Sequence, residues 1–416
     1  MILVPFIYFI LLMFVFWYKG KQFGVASYIA LIYAISAFYS ILIDWFGVYG
    51  EYGVTTKVPI HFLPTLTYCV LITISIWPFY KLQKIKNLDI PLSRPILFTW
   101  LGYFFIFVFF ITIFVFLDDI RSILNGDLSE VRAMIYDEDA VETPTGWRYV
   151  LELFPTIFSR FSPMILIMFF YSILKLNNSK LYNYLLFVAS FTPVVAAILV
   201  AGRTQIIYWI LIYGALYVFF RPFLDKSKKR TVLLPVLVAT GILGIYFMAV
   251  TASRWGESSD SSMTAYLGQS FLNFSYFFDH YSCREISFQR IFPFTYHFVL
   301  GQKFDLTDYR ETIFAYSGEN IGIFYSFLGD WLVDLGHGGM ILLVIIYACV
   351  ASLTLKQKRK GIMPFYQLML WVLLLQVPLF GVFYYSFWRI DMSYYILGTI
   401  VLYLIFRYSI KKEQEC

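Results

Sequence analysis

Apolar residues gather along this chain in runs approaching twenty, separated mostly by short polar connections and twice by long ones. A helix needs about 20 apolar residues to cross a bilayer core, and in lipid only helices and closed barrels satisfy their own backbone groups. The pattern predicts an all-α, polytopic membrane bundle of about eleven transmembrane helices, at 2–16, 23–46, 62–79, 96–117, 153–174, 181–200, 205–220, 232–250, 340–355, 363–383 and 392–406. The first run starts at Ile2 with no basic stretch before it and with Lys19 and Lys21 after it, so it reads as a retained helix and not a cleaved signal peptide.

Five regions follow: N-terminal helices (1–117), an acidic loop (118–152), central helices (153–250), a large loop (251–339), and C-terminal helices with a tail (340–416). Loops of this length inside a compact architecture are usually functional or hold helices of their own. Within the second, 321–335 is apolar, but at about 1.5 Å per residue it is too short for a core about 30 Å thick. If it crossed, the basic stretch 356–360 would change sides, so a re-entrant or interfacial helix is expected.

Charge orients the bundle. Of the 17 lysines, 15 fall on one side, the side that the positive-inside rule assigns to the cytoplasm, whereas 10 of the 15 arginines fall on the other side or at its membrane edge. Only Asp89, Asp225, Glu413 and Glu415 of the 26 acids lie inside. The N-terminus is then outside and the C-terminus inside. Arginine grips phosphate through two parallel hydrogen bonds while keeping its charge, so arginines gathered on the outer face suit a phosphorylated lipid or an anionic glycan. A mean hydropathy of +0.71 and only 14% charged residues exclude a soluble globular protein. The net charge of +6 is mostly cytoplasmic lysine, which argues against nucleic acid. Cys69, Cys283, Cys349 and Cys416 form neither a disulfide framework nor a zinc spacing.

Several residues could carry chemistry. Arg203 stands in Ala201-Gly202-Arg203-Thr204, between two spans with almost no loop. Gly202 permits a tight turn, and a helix starting near Thr204 adds the potential of its first amides. The residue reads as a pyrophosphate clamp or as an arginine snorkelling to headgroups. Arg254 lies at the root of the large loop, placed to meet Arg203 over one cavity or to anchor at the interface beside Trp255. Arg160, about a turn and a half below the outer edge, needs an acid, an anionic ligand or water. Arg284, Arg290 and Arg310 read as salt-bridge or solvated residues, one of which could bind glycan or phosphate. For a proton acceptor, Asp279 could orient His280. Asp330 and Asp334, four apart, share one helix face, and paired carboxylates in an apolar setting suit a general base. His337 is a further candidate. His61 and His297 read as structural. Tyr266, Phe271, Phe274, Tyr276 and Tyr281 could stack on sugars or form loop core. Asp137-Glu138-Asp139 has an acidic spacing used with metals, in a loop already crowded with acids, and reads as solvated surface. No metal site and no cofactor are expected, nor is a nucleotide-phosphate loop present.

Together the eleven helices, the Ala-Gly-Arg-Thr junction at 201–204, Thr251-Ala252-Ser253-Arg254, the large aromatic loop, and the Asp330 to Gly339 stretch resemble the bacterial Wzy-type O-antigen and capsule polymerases, over roughly 153–355. The resemblance implies a GT-C-like membrane fold in the bacterial cytoplasmic membrane, with its site facing the periplasm or cell exterior. It implies transfer of a glycan from undecaprenyl pyrophosphate to a lipid-linked repeat unit, with Arg203 and Arg254 as donor-binding residues. A chain-length regulator, a flippase and membrane lipids are the partners it implies. The related O-antigen ligases carry a histidine element in their large loop that is not matched here, and a flippase would need charge deep in several spans.

Overall fold

The computed structural model describes all residues except 86–94, 126–145, 177, 200–201, 256–258, 283–287, 302–304, 357–362 and 416. The described residues form helices and connecting turns, and no strand occurs among them. Ten helices among them are long and apolar enough to cross a membrane. The stretch expected as an eleventh span, 363–383, forms a shorter apolar helix, Phe365–Phe380, which ends in a turn at Gly381. The chain is a multi-pass helical membrane protein. Its contacts divide it into two units: one of Met1–Lys86, Asp260–Gly361 and Leu373–Ser393, the other of Asn87–Ser259, Ile362–Val372 and Tyr394–Cys416.

In the first unit, α1 (Leu3–Gly20), α2 (Val25–Phe46) and α3 (Phe62–Tyr80) pack together. Ala26, Ala30, Ala34 and Ala37 on α2 are buried, a small-residue stripe that lets helix backbones approach closely. The large-loop region supplies more helix to this unit than its sequence suggests. Ser259–His280 is a 22-residue helix and not a short one. Gly268 within it lies against α2, where a Cβ would stand 2.4 Å from the Tyr39 carbonyl carbon. Ser36 and Ser40 of α2 donate hydroxyl bonds to the carbonyls of Leu267 (2.9 Å) and Gly268 (2.5 Å). Phe271 and Phe274 pack on Tyr68 of α3, and Tyr266 packs on Phe324 and Phe383. Phe271 and Phe274, both fully buried, are therefore packing residues and not sugar platforms. Asn273, fully buried, donates to the carbonyls of Gly53 and Phe324 (both 2.8 Å) and accepts from Thr55 N (2.9 Å), fixing two distant turns at once.

In the second unit, α4 (Pro95–Val115) leads to α5 (Leu117–Asn125) and then to α6 (Gly146–Phe158), which a 3-10 turn, Ser159–Phe161, joins to α7 (Ser162–Lys175). Every residue of α7 from Ser162 to Ser172 is buried, as expected of a helix apolar all round at the centre of a bundle. The next span is also broken, into α8 (Lys180–Ala189) and α9 (Thr192–Leu199), followed by α10 (Thr204–Phe220) and α11 (Lys226–Trp255). Pro193 has no N–H for the Ala189 carbonyl, and the Thr192 hydroxyl takes that carbonyl instead (2.8 Å). Val194 N turns to Phe191 O (2.8 Å), and the Ser162 hydroxyl fills the Ser190 carbonyl (2.6 Å). Trp209 of α10 donates to Ser190 Oγ (3.0 Å), so the break leaves its backbone satisfied inside the bundle.

With the helix Ser259–His280 numbered α12, the chain continues through α13 (Leu306–Ser317), α14 (Ser326–Thr354), α15 (Phe365–Phe380) and α16 (Ile390–Glu415). The short helix expected at 321–335 starts at Ser326, and it and the span expected at 340–355 are joined in α14. They are two helices meeting at Gly336, whose φ of 68° and ψ of −178° only glycine adopts readily. Sixteen residues of continuous helix would separate Trp331 from Tyr347 by about 24 Å, yet their ring centroids are 6.4 Å apart. The half-helix before Gly336 therefore folds towards the half after it.

Candidate functional site

The first half of α14 is anchored by its own N-terminus. Ser326 N and Phe327 N donate to the carbonyls of Phe383 and Gly381, both at 2.9 Å, so these amides are not open to an anion. Gly381 is needed there, because a Cβ would stand 2.6 Å from the Phe327 ring. Ser326 itself takes a φ of 62°, a left-handed conformation that costs a non-glycine residue of order 1–3 kcal/mol and persists only where its surroundings enforce it.

One turn on, Asp330 and Asp334 share a helix face, both fully buried. Arg290, only 4% exposed, enters from the segment before Thr295 and pairs with Asp330 at 2.5 Å, while its other terminal nitrogen donates to Tyr325 OH (2.7 Å). The backbone N–H of Tyr385 donates to the second Asp330 oxygen. Asp334 accepts from the Tyr309 hydroxyl and from Ile291 N (3.2 Å), and Tyr385 OH donates to Ile291 O (3.4 Å). Burial works against the Arg290 charge, but Asp330, Tyr325, Tyr309 and Asp334 more than offset it, and its pKa lies above that of an ordinary arginine. Burial, and then the nearby Asp334 carboxylate, push the Tyr309 hydroxyl well above the usual tyrosine range. The network thus sews residues 290–291, α13 and the turn at 385 to one half-helix. As placed, neither carboxylate meets a substrate hydroxyl unless Arg290 or Tyr309 moves.

The histidines stand differently. His280 is exposed, and its Nδ1–H donates to the Tyr276 carbonyl (2.9 Å) with the ring stacked on Tyr276. This backbone carbonyl, and not Asp279, orients the ring. His337, also exposed and directly after the Gly336 break, donates Nε2–H to the Phe278 carbonyl (2.8 Å). Both rings are therefore fixed on the C-terminal end of α12. Nearby, Tyr276 donates to Glu319 (2.9 Å). Arg310 is exposed on α13. The pairing of Arg290 with Asp330 and the anchoring of His337 on Phe278 were not readable in the sequence, because nothing local links residues 40 and 59 positions apart.

In the second unit, Arg203 is the N-cap residue of α10 and is only 4% exposed. The Gly202 N–H closes on Ala197 O (2.7 Å), which makes the tight junction expected of Ala-Gly-Arg-Thr. Arg160 lies part-buried on the 3-10 turn between α6 and α7, beside Pro163 at the start of α7. Arg254 lies on the last turn of α11, and its side chain, with Arg284 and Asp137 to Asp139, lies outside the described residues. Among the described residues no cluster of histidine, cysteine or acids could hold a metal ion.

The fold and these groups define a multi-pass helical membrane protein with a buried Arg290–Asp330 pair and broken spans. Comparison with known families, curated proteins and solved structures finds no match.

Proposed function

We propose that the protein is a lipid-linked glycosyltransferase that polymerises undecaprenyl-pyrophosphate-linked repeat units at the outer face of the bacterial cytoplasmic membrane. The observation that carries the reading is Arg203, buried at the N-terminus of α10, where guanidinium and helix dipole favour negative charge together. Such a preorganised positive site suits a pyrophosphate leaving group, whose charge grows as the glycosidic bond breaks. Arg254, on the last turn of α11, is the second donor-binding candidate. Within the first unit, His337 or His280 is the better general-base candidate, since each is exposed and held by a backbone carbonyl, whereas Asp330 and Asp334 are enclosed. No cofactor is required by this reading.

One observation favours a second reading, a flippase for the same lipid-linked glycan. A buried Arg290–Asp330 pair beside a helix broken at Gly336 is the kind of element on which carriers build midplane sites. Deletion separates the two. A polymerase mutant leaves single repeat units on the surface lipid, a flippase mutant stops units crossing, and a ligase mutant abolishes attachment. Full-length polymer in the deletion strain would overturn the polymerase reading.

A further inference from the structure

An open, shallow groove of about 740 Å³ runs along the exposed face of α1. Leu11, Phe14 and Val15 form its apolar wall, at spacings that place them on one helix face, and all three are exposed on a helix long and apolar enough to cross a membrane. Trp17, stacked on Phe14 and edge-on to Phe23, and the 88% exposed Tyr18 mark the level where an apolar body meets a polar surface. Lys19 and Lys21 close the groove at that end. Both are exposed, and neither is in a salt bridge among the described residues. Gly20 packs against Gln83, which brings the turn bearing the exposed Lys81 to the same end. No acid stands within 17–25 or 80–85 to offset these charges.

We propose that this groove binds an anionic phospholipid, its acyl chain against Leu11, Phe14 and Val15 and its phosphate between Lys19 and Lys21. An apolar wall alone would accept any acyl chain. The uncompensated lysines, set one turn beyond it, select the headgroup charge. The site stands whether or not the protein acts on glycans.

Trp17 reports on its own groove. The full chain is placed in phosphatidylcholine nanodiscs, and the Trp17 signal is taken as wild type minus Trp17→Phe. Phosphatidylglycerol with brominated acyl chains is titrated in, with brominated phosphatidylcholine as the control. Quenching of Trp17 is expected at a much lower mole fraction of the anionic lipid. Lys19→Gln with Lys21→Gln should raise that fraction on the order of tenfold or more, and Lys19→Arg with Lys21→Arg should restore it. Equal curves for the two lipids, or an unchanged double glutamine variant, overturn the proposal. So does reversal by excess inorganic phosphate, which would show a free-anion site. Trp17 protected from both lipids, with Leu11→Cys crosslinking between copies, would assign the groove to a second copy and also overturn it.

Discussion

Replacing Arg290 with methionine removes the cation that Asp330 faces at 2.5 Å and leaves that carboxylate, fully buried, with the Tyr385 N–H. Coulomb's law at an effective dielectric of about 20 gives a gross attraction of about 6–7 kcal/mol at that separation. Taking both charges out of solvent cancels most of it, so the intact pair contributes little net stability. The unpaired carboxylate keeps its desolvation penalty, and Arg290→Met is expected to cost about 3–5 kcal/mol. Asp330→Leu strands the guanidinium and should cost a similar amount. Replacing both removes both buried charges at nearly constant volume, and the double variant should lie within about 2 kcal/mol of wild type, in either direction. The coupling energy is then several kcal/mol, well above what separate sites give. Unfolding by titration with SDS in mixed micelles, followed by tryptophan fluorescence, measures all four proteins. Single variants that each cost under about 1 kcal/mol, or a double variant as unstable as the two singles added, would refute this account of the network.

Gly268→Val places branched carbon against the Tyr39 backbone, and an overpacking cost of about 1–3 kcal/mol or more is expected in the same titration. Under the proposed function, Arg203→Ala should reduce polymer formation by purified protein about tenfold to a hundredfold at unchanged protein level, from a lost charge-assisted contact of roughly 1.5–3 kcal/mol. Arg203→Lys should rescue it poorly, and full chain length in both variants would count against a donor clamp. His337→Gln should lower turnover by roughly a hundredfold with donor binding intact if this ring is the base, whereas unchanged turnover points to His280 or to a structural cap. Labelling with an impermeant thiol reagent, in a background without native cysteines, should reach position 282 and not position 228 from outside. The reverse result would invert the proposed orientation.

The spans were legible because lipid imposes one requirement, a long apolar stretch, on every crossing helix, and ten of them stand where hydropathy puts them. Breaks within spans were harder to read. Pro193 and Pro163 signal them, but whether a proline kinks or ends a helix depends on who takes the freed carbonyl, and Ser162 and Thr192 do so only in the folded bundle. The large loop was expected to hold helices, but the length of α12 and the burial of its Ser270, Asn273 and Ser275 were not legible, because those polar residues interrupt the apolar pattern that marks a core helix. The i to i+4 placement of Asp330 and Asp334 followed from the sequence. Their enclosure did not, since Arg290 and Tyr309 come from other segments. The Arg203 junction was the most readable feature of the site, because glycine before arginine at a helix start is a purely local signal.

The contact of α12 with α2 also sets an order of assembly. Ser36 waits for a carbonyl 231 residues further along the chain. At about 5–20 residues per second of synthesis, α2 would be in the membrane some 10–50 seconds before its partner exists. Over that interval the face carrying Ser36 and Ser40 must lie against lipid or against an insertion factor. Photocrosslinking from position 40 in nascent chains halted before and after 280 would show the exchange, and an identical crosslink pattern at both lengths would rule out this late docking.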